Sequence, residues 1–189
     1  MSKKETAEYF ENRKQWRKWL IENFETANEI WLVFPNKSSS KKSILYNDAV
    51  EEALCFGWID STVKSLDNEN KIQRFTPRKN KSQYSQANKE RLIWLLKNGM
   101  IHSKFVNEVQ QIVSEPYQFP NDIIDKLKGD KTVWKNYQKF SESYKRIRIA
   151  YIDGARKRPE EFKKRLNNFI NKTKENKTIA GFGGIEKYY

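Results

Sequence analysis

Two arginines, a carboxylate and an aromatic ring lie in segments that a β-hairpin would bring together. Trp58-Ile59-Asp60-Ser61-Thr62-Val63-Lys64-Ser65-Leu66 is followed by the polar run Asp67-Asn68-Glu69-Asn70-Lys71 and then by Ile72-Gln73-Arg74-Phe75-Thr76-Pro77-Arg78. A five-residue connection sets Leu66 against Ile72 and Val63 against Phe75, apolar against apolar, whereas a four-residue loop sets Val63 against Arg74. The five-residue register is expected, and it places Asp60 opposite Arg78 with Trp58, Arg74 and Thr76 on the same face. Guanidinium forks beside an indole suit a planar anionic ligand, with Asp60 orienting one of them. Tyr84 and Ser85, just before the next helix, and Asn88 and Lys89 on it complete this candidate ligand-binding set. The competing reading makes Asp60 and Arg78 a structural cross-strand pair and Trp58 a core side chain.

Other residue types narrow the chemistry further. The single cysteine, Cys55, excludes an intrachain disulfide, and with the single histidine, His102, it cannot build a multi-ligand zinc site. Cys55 follows an apolar helical stripe and reads as a buried, inert thiol. His102 lies past a helix stop with no nucleophile-elbow sequence, so a Ser-His-Asp arrangement is not expected around it. Asp60 and Asp67 make a poor carboxylate pair because Asp67 falls in the turn. No catalytic residue, metal ligand or cofactor is therefore assigned; a binding or interaction protein is expected, with a small-molecule enzyme centred on the hairpin as an alternative.

Charge is the remaining signal. The net charge is +13, and between Lys131 and Lys177 there are 15 Lys and Arg against 5 Asp and Glu. Lys145, Arg146, Arg148, Arg156, Lys157, Arg158, Lys163, Lys164 and Arg165 could neutralise phosphates and give salt-dependent binding to nucleic acid. Without a recognised nucleic-acid motif, the plainer reading is a solvated, lysine-rich helical face.

The elements that must position these groups follow from periodicity. At 189 residues, with six Trp, nine Tyr and eleven Phe, the chain can bury a core. Phe10, Trp16, Trp19, Leu20 and Phe24 recur at helical spacing, predicting a helix over 5–24. Ile30 to Phe34 reads as a buried strand, and Asn47 as the cap of a short helix that Gly57 ends. Ala87, Leu92, Leu95 and Leu96 mark a helix stopped by Gly99. The run 114–120 carries two prolines and reads as a linker. Helices are expected over 122–128, 133–140, 141–157 and 159–174, the last with Pro159 as its first residue and Phe162, Leu166, Phe169 and Ile170 as its apolar stripe. The expected class is thus α+β: a small sheet with a hairpin packed by helices over 1–115, an all-helical module over 116–178 and a tail over 179–189. The Gly-rich tail neither follows a strand nor opens a helix, so it is no phosphate loop. No apolar run is long enough to span a membrane and no export signal precedes the first helix, making the cytoplasm the expected location.

Ala53-Leu54-Cys55-Phe56-Gly57-Trp58-Ile59-Asp60-Ser61, then Arg74-Phe75-Thr76-Pro77-Arg78-Lys79, then Ser82, Ser85, Asn88 and Lys89 resemble the YdeI/OmpD-associated, or bacteriocin-protection, family. The resemblance extends upstream to Trp19-Leu20 and Trp31-Leu32-Val33, and downstream to Pro120-Asn121-Asp122 and the basic stretch from Arg146 to Ala155. It implies an α+β region followed by a helical segment, and a role in tolerance of bacteriocins or antimicrobial peptides that carries no enzymatic mechanism. Two positions depart from the family pattern. Tyr84 stands where a Trp is usual, keeping an aromatic platform with different hydrogen bonding, and Glu161-Phe162 replace a usual Thr-Arg, so the resemblance carries no anion-binding role over to that helix. From the residues themselves, the expected partner is a small anionic ligand or a protein, with nucleic acid as the alternative.

Overall fold

The computed structural model describes residues 7–36, 39–79, 84–181 and 184–189. It is an α+β protein with a helical carboxy-terminal part. Two compact units comprise Met1–Gln83 with Leu92–Ile112, and Tyr84–Arg91 with Val113–Tyr189.

In the first unit the order is β1 (Ala7–Glu8), α1 (Arg13–Asn23), β2 (Ile30–Pro35), α2 (Tyr46–Cys55), β3 (Trp58–Ser65) and β4 (Asn70–Pro77). Residues from Leu92 to the end of α3 (Gln86–Lys97), a short 3-10 turn (Ser103–Phe105) and most of α4 (Val106–Ser114) complete it. The strands lie in the order β1-β2-β4-β3, with β1 parallel to β2 and the other pairs antiparallel. The core sits where α1 and α2 meet the sheet. Trp16 is fully buried, donates its indole N–H to Ala49 O at 3.0 Å, and lies 5.6 Å from the Phe75 ring.

Two expected details are corrected by the structure. The predicted helix over 5–24 begins only at Arg13, because Asn12 is extended and its side chain accepts from the backbone N–H groups of Lys14 and Gln15. The segment before it supplies β1. Asn47 does not cap α2; it sits inside the helix and donates to Glu51 Oε1 at 2.9 Å. The two glycine stops are as expected, since Gly57 and Gly99 follow α2 and α3 at φ +70 and +64.

The second unit is helical. Besides residues up to Arg91 of α3, it contains α5 (Asn121–Lys128), α6 (Lys131–Lys139), α7 (Glu142–Asp153), α8 (Pro159–Lys174) and a closing 3-10 turn (Ile185–Tyr188). Its core gathers Ile123, Leu127, Val133, Tyr144, Ile149, Leu166 and Phe169. Asp130 caps α6 through the N–H groups of Thr132 and Val133, and Ser141 caps α7 through that of Tyr144. As at α1, a side chain just ahead of the helix fixes its first turn. No helix among the described residues is long and apolar enough to cross a membrane.

Candidate functional site

The hairpin forms, but in neither register weighed from the sequence. Val63 pairs with Gln73, Lys64 with Ile72 and Ser65 with Lys71. A β-bulge then inserts one extra residue between Asp60 and Val63, after which Asp60 pairs with Phe75 and Trp58 with Pro77. The turn explains the shift. One carboxylate oxygen of Asp67 accepts the N–H groups of Glu69 and Asn70 at 2.7 and 2.8 Å, tightening the loop so that Ser65 meets Lys71. The apolar pairing that favours the five-residue register has little to gain: Val63 is 56% and Leu66 48% exposed.

This register takes the predicted anion fork apart. Asp60 shares the sheet face of Phe75, where it accepts from the Tyr46 hydroxyl at 2.7 Å and from the buried Gln73 amide at 3.4 Å. Gln73 also donates to Ser61 O at 3.1 Å, holding the bulge. Trp58 is 1% exposed; its indole N–H donates to Phe24 O at 3.1 Å and its ring meets Trp19 edge-on. Strand alternation puts Arg74 and Thr76 on the opposite face, and Arg74 forms an ion pair with Glu29. Asp60 pairs with Phe75, not Arg78; the Arg78 backbone N–H instead donates to Gly57 O at 2.9 Å. Tyr84, Ser85, Asn88 and Lys89 belong to the second unit. There Ser85 accepts from the N–H of Asn88, Asn88 accepts from Arg91, and Lys89 reaches Glu115 at 3.4 Å. Ser82 lies outside the described residues.

Of the reactive-looking side chains, Cys55 is buried and His102 half-buried. Burial, and next the charge of Glu52, push the Cys55 thiol up to about 12, although Arg17 and Arg13 act in the other direction. A thiol of that kind is almost wholly protonated near neutrality and out of reach of reagents. Iodoacetamide labelling of the native chain at about pH 8 is therefore expected to proceed only through opening of the fold, speeding up sharply in denaturant. Rapid labelling without denaturant would contradict this placement. The His102 ring packs against Phe24, Phe56 and Phe105, with Nδ1 accepting from the Lys104 N–H. Among the described residues, no group of three or more His, Cys, Asp or Glu is placed to hold a metal ion.

The cations singled out in the helical unit divide into two sets. Arg146 forms a two-pronged pair with the buried Glu90, at 2.6 and 2.9 Å. Arg156 is claimed by Asp122 and Asp153, and it holds the Asp122 carboxyl below its ordinary range. Lys145 donates to Glu142 Oε1 and Gln138 O. Arg165 joins Glu161 at 2.7 Å and stacks over the Tyr151 ring at 3.7 Å. Arg148 is buried between Tyr144 and Tyr189 and donates to Ile179 O and the Tyr189 hydroxyl. These side chains bind the unit together.

Lys157, Arg158, Lys163 and Lys164 form the other set. All four are exposed and, among the described residues, none makes a direct side-chain hydrogen bond or ion pair, although the Glu161 carboxyl, held below its ordinary range first by the bond from Arg165, also feels the charge of Lys164 and Arg158. They cluster where α7 gives way to α8. Pro159 starts α8 there, and Leu166, Phe169 and Thr173 bury its inner stripe. The replaced family pair is accounted for locally: Glu161 is taken by Arg165, while Phe162 packs against the core beneath Arg156. Sequence reasoning misses Asn167, Asn168 and Asn171, all exposed on α8. Their spacing opposite the apolar stripe is the signal that could have found them.

Two family models match the chain. One, described as a domain of unknown function (DUF8412), covers residues 8–108, a little over half of the chain. The other, described as "Bacteriocin-protection, YdeI or OmpD-Associated", covers residues 116–176. No curated protein and no solved structure matches. The runs around Asp60 and Arg74 that carry the resemblance fall in the first stretch, outside the bacteriocin-protection match, which takes in α5 to α8 and not nearly the whole chain, as the resemblance implies. The chain accordingly belongs to the DUF8412 family, and its helical residues 116–176 form a bacteriocin-protection, YdeI or OmpD-associated domain.

Proposed function

We propose that this chain is a non-catalytic interaction protein that contributes to tolerance of bacteriocins or antimicrobial peptides by binding an anionic partner through its helical unit. The observation that carries the reading is the division of the basic residues. Most of those named are consumed by internal partners, whereas Lys157, Arg158, Lys163 and Lys164 point their charge at solvent from one corner. Concentrated like charge raises the energy of the unbound protein and is relieved by an incoming anion. The family match supplies the biological setting for the reading.

The test uses a polyanion of no particular sequence. The full chain is expected to bind heparin at low salt and to be released steeply as salt rises. Replacing all four residues with Gln is expected to abolish retention while leaving the circular dichroism spectrum intact, because none of the four holds another element. Cells lacking the protein should lose survival under a cationic antimicrobial peptide and regain it with the wild type but not with the quadruple variant. Wild-type heparin retention by the variant, or full rescue by it, would refute the proposal.

A further inference from the structure

We infer that the solvent face of α8, with the two cations that precede it, is a docking surface for double-stranded DNA. The inference rests on the anionic-partner reading above and names that partner's class.

α8 is a 16-residue rod, about 24 Å long, with one stripe fixed in the core of its unit. Lys163, Lys164, Asn167, Asn168 and Asn171 are exposed on the remainder. Farther along, the cations change character: Lys174 pairs with Asp130, and Lys172 and Lys177 with Glu175. The cations without a direct partner thus sit at one end of the helix, with Glu161 feeling the charge of two of them, and an amide strip runs on from there.

The amides carry the argument beyond charge. Asparagine is a poor helix former, yet three occupy this exposed face, and among the described residues their side chains make no hydrogen bond. An amide can pair with both the N6 and N7 positions of adenine in the major groove, while lysine and arginine hold the flanking phosphates. That groove admits an α-helix. The A-form major groove of RNA does not, and single strands are gripped by stacking on aromatic rings, which the exposed face of α8 lacks. A helix lying on an anionic membrane needs apolar side chains to insert beside its cations, and this face presents none. Lysines followed by amides on a rigid helix fit a duplex best. Glu160, exposed at the same end, sets a carboxylate against the phosphate chain.

The test is fluorescence anisotropy of the full chain with a labelled duplex of about 20 base pairs, titrated over a range of salt. Four phosphate contacts predict a slope of log affinity against log salt of about −3.6, an affinity loss on the order of a hundredfold between about 50 and 200 mM. The double variant Lys163→Gln/Lys164→Gln should flatten the slope by about 2. Asn167→Ala/Asn168→Ala/Asn171→Ala should reduce the preference for A·T-rich over G·C-rich duplex and leave the slope unchanged. Alanine favours the helix at these exposed sites, so loss of folding would not confuse the result. Glu160→Gln should tighten binding.

Heparin binding without duplex binding would overturn the DNA inference while leaving the anionic-partner reading in place. Loss of both would end the two together. An unchanged slope in the double-lysine variant would overturn it, as would tighter binding to phosphatidylglycerol-rich vesicles than to duplex.

Discussion

Glu52→Ala is expected to destabilise the first unit by about 2–4 kcal/mol in chemical denaturation of the full chain. The carboxylate sits on α2 with its side chain 2% exposed, and both of its oxygens are taken by α1: Arg13 Nε at 2.7 Å and Arg17 Nη1 at 2.6 Å. Arg13 reaches on to Glu51 and Asp48, and Arg17 to Met100 O. Removing Glu52 leaves two guanidiniums facing each other across a gap once filled by negative charge. Truncating one member of a buried ionic group typically costs about 3–5 kcal/mol, and the smaller loss expected at Glu52 reflects arginines that can turn partly to water. Glu52→Gln keeps the volume and an accepting oxygen, so its loss should fall between those of wild type and alanine. A Glu52→Ala midpoint indistinguishable from wild type would show that the arginines are satisfied by Glu51, Asp48 and solvent alone.

The same cluster separates what is legible in the chain from what is not. Trp16, Leu20, Val50, Ala53 and Leu54 announce two amphipathic helices by spacing, because a helix must bury one stripe. Pro159 and the apolar positions of α8 place that helix from its first residue to its last. Nothing local announces that Arg13 will meet Glu52, since the pairing depends on how α1 and α2 pack. The hairpin register is hidden for a related reason: it is decided by the acceptor geometry of Asp67 and the amide of Gln73, not by apolar matching between residues that remain wet. In the helical unit the excess of cations is visible in the sequence, but Arg146 is neutralised by Glu90, 56 residues away. Composition shows where charge is concentrated; packing decides which charges still face outward. The helix α4 goes unforeseen in the sequence, where the run read as linker already begins at its last residue, Ser114.

Gly57→Ala and Gly99→Ala should separate two costs that the sequence alone cannot tell apart. Both glycines have left-handed backbones, at φ +70 and +64, just after helices. At Gly99 an added Cβ meets nothing within 4 Å, so the substitution bears only the conformational penalty, about 1 kcal/mol. At Gly57 the same carbon would lie 2.7 Å from the Phe105 ring, too close for a real contact. Phe105 cannot withdraw easily, because its ring packs against Phe24 and neighbours His102, which itself rests on Phe56. Overpacking adds about 1–3 kcal/mol to the backbone term, for a total loss of about 2–4 kcal/mol. Phe105→Leu in the Gly57→Ala background should recover part of that loss although it weakens the wild type, since the smaller side chain relieves the clash. Equal losses for the two glycine variants would mean that the ring shifts freely, and the aromatic cluster behind Gly57 would then be softer than its packing implies.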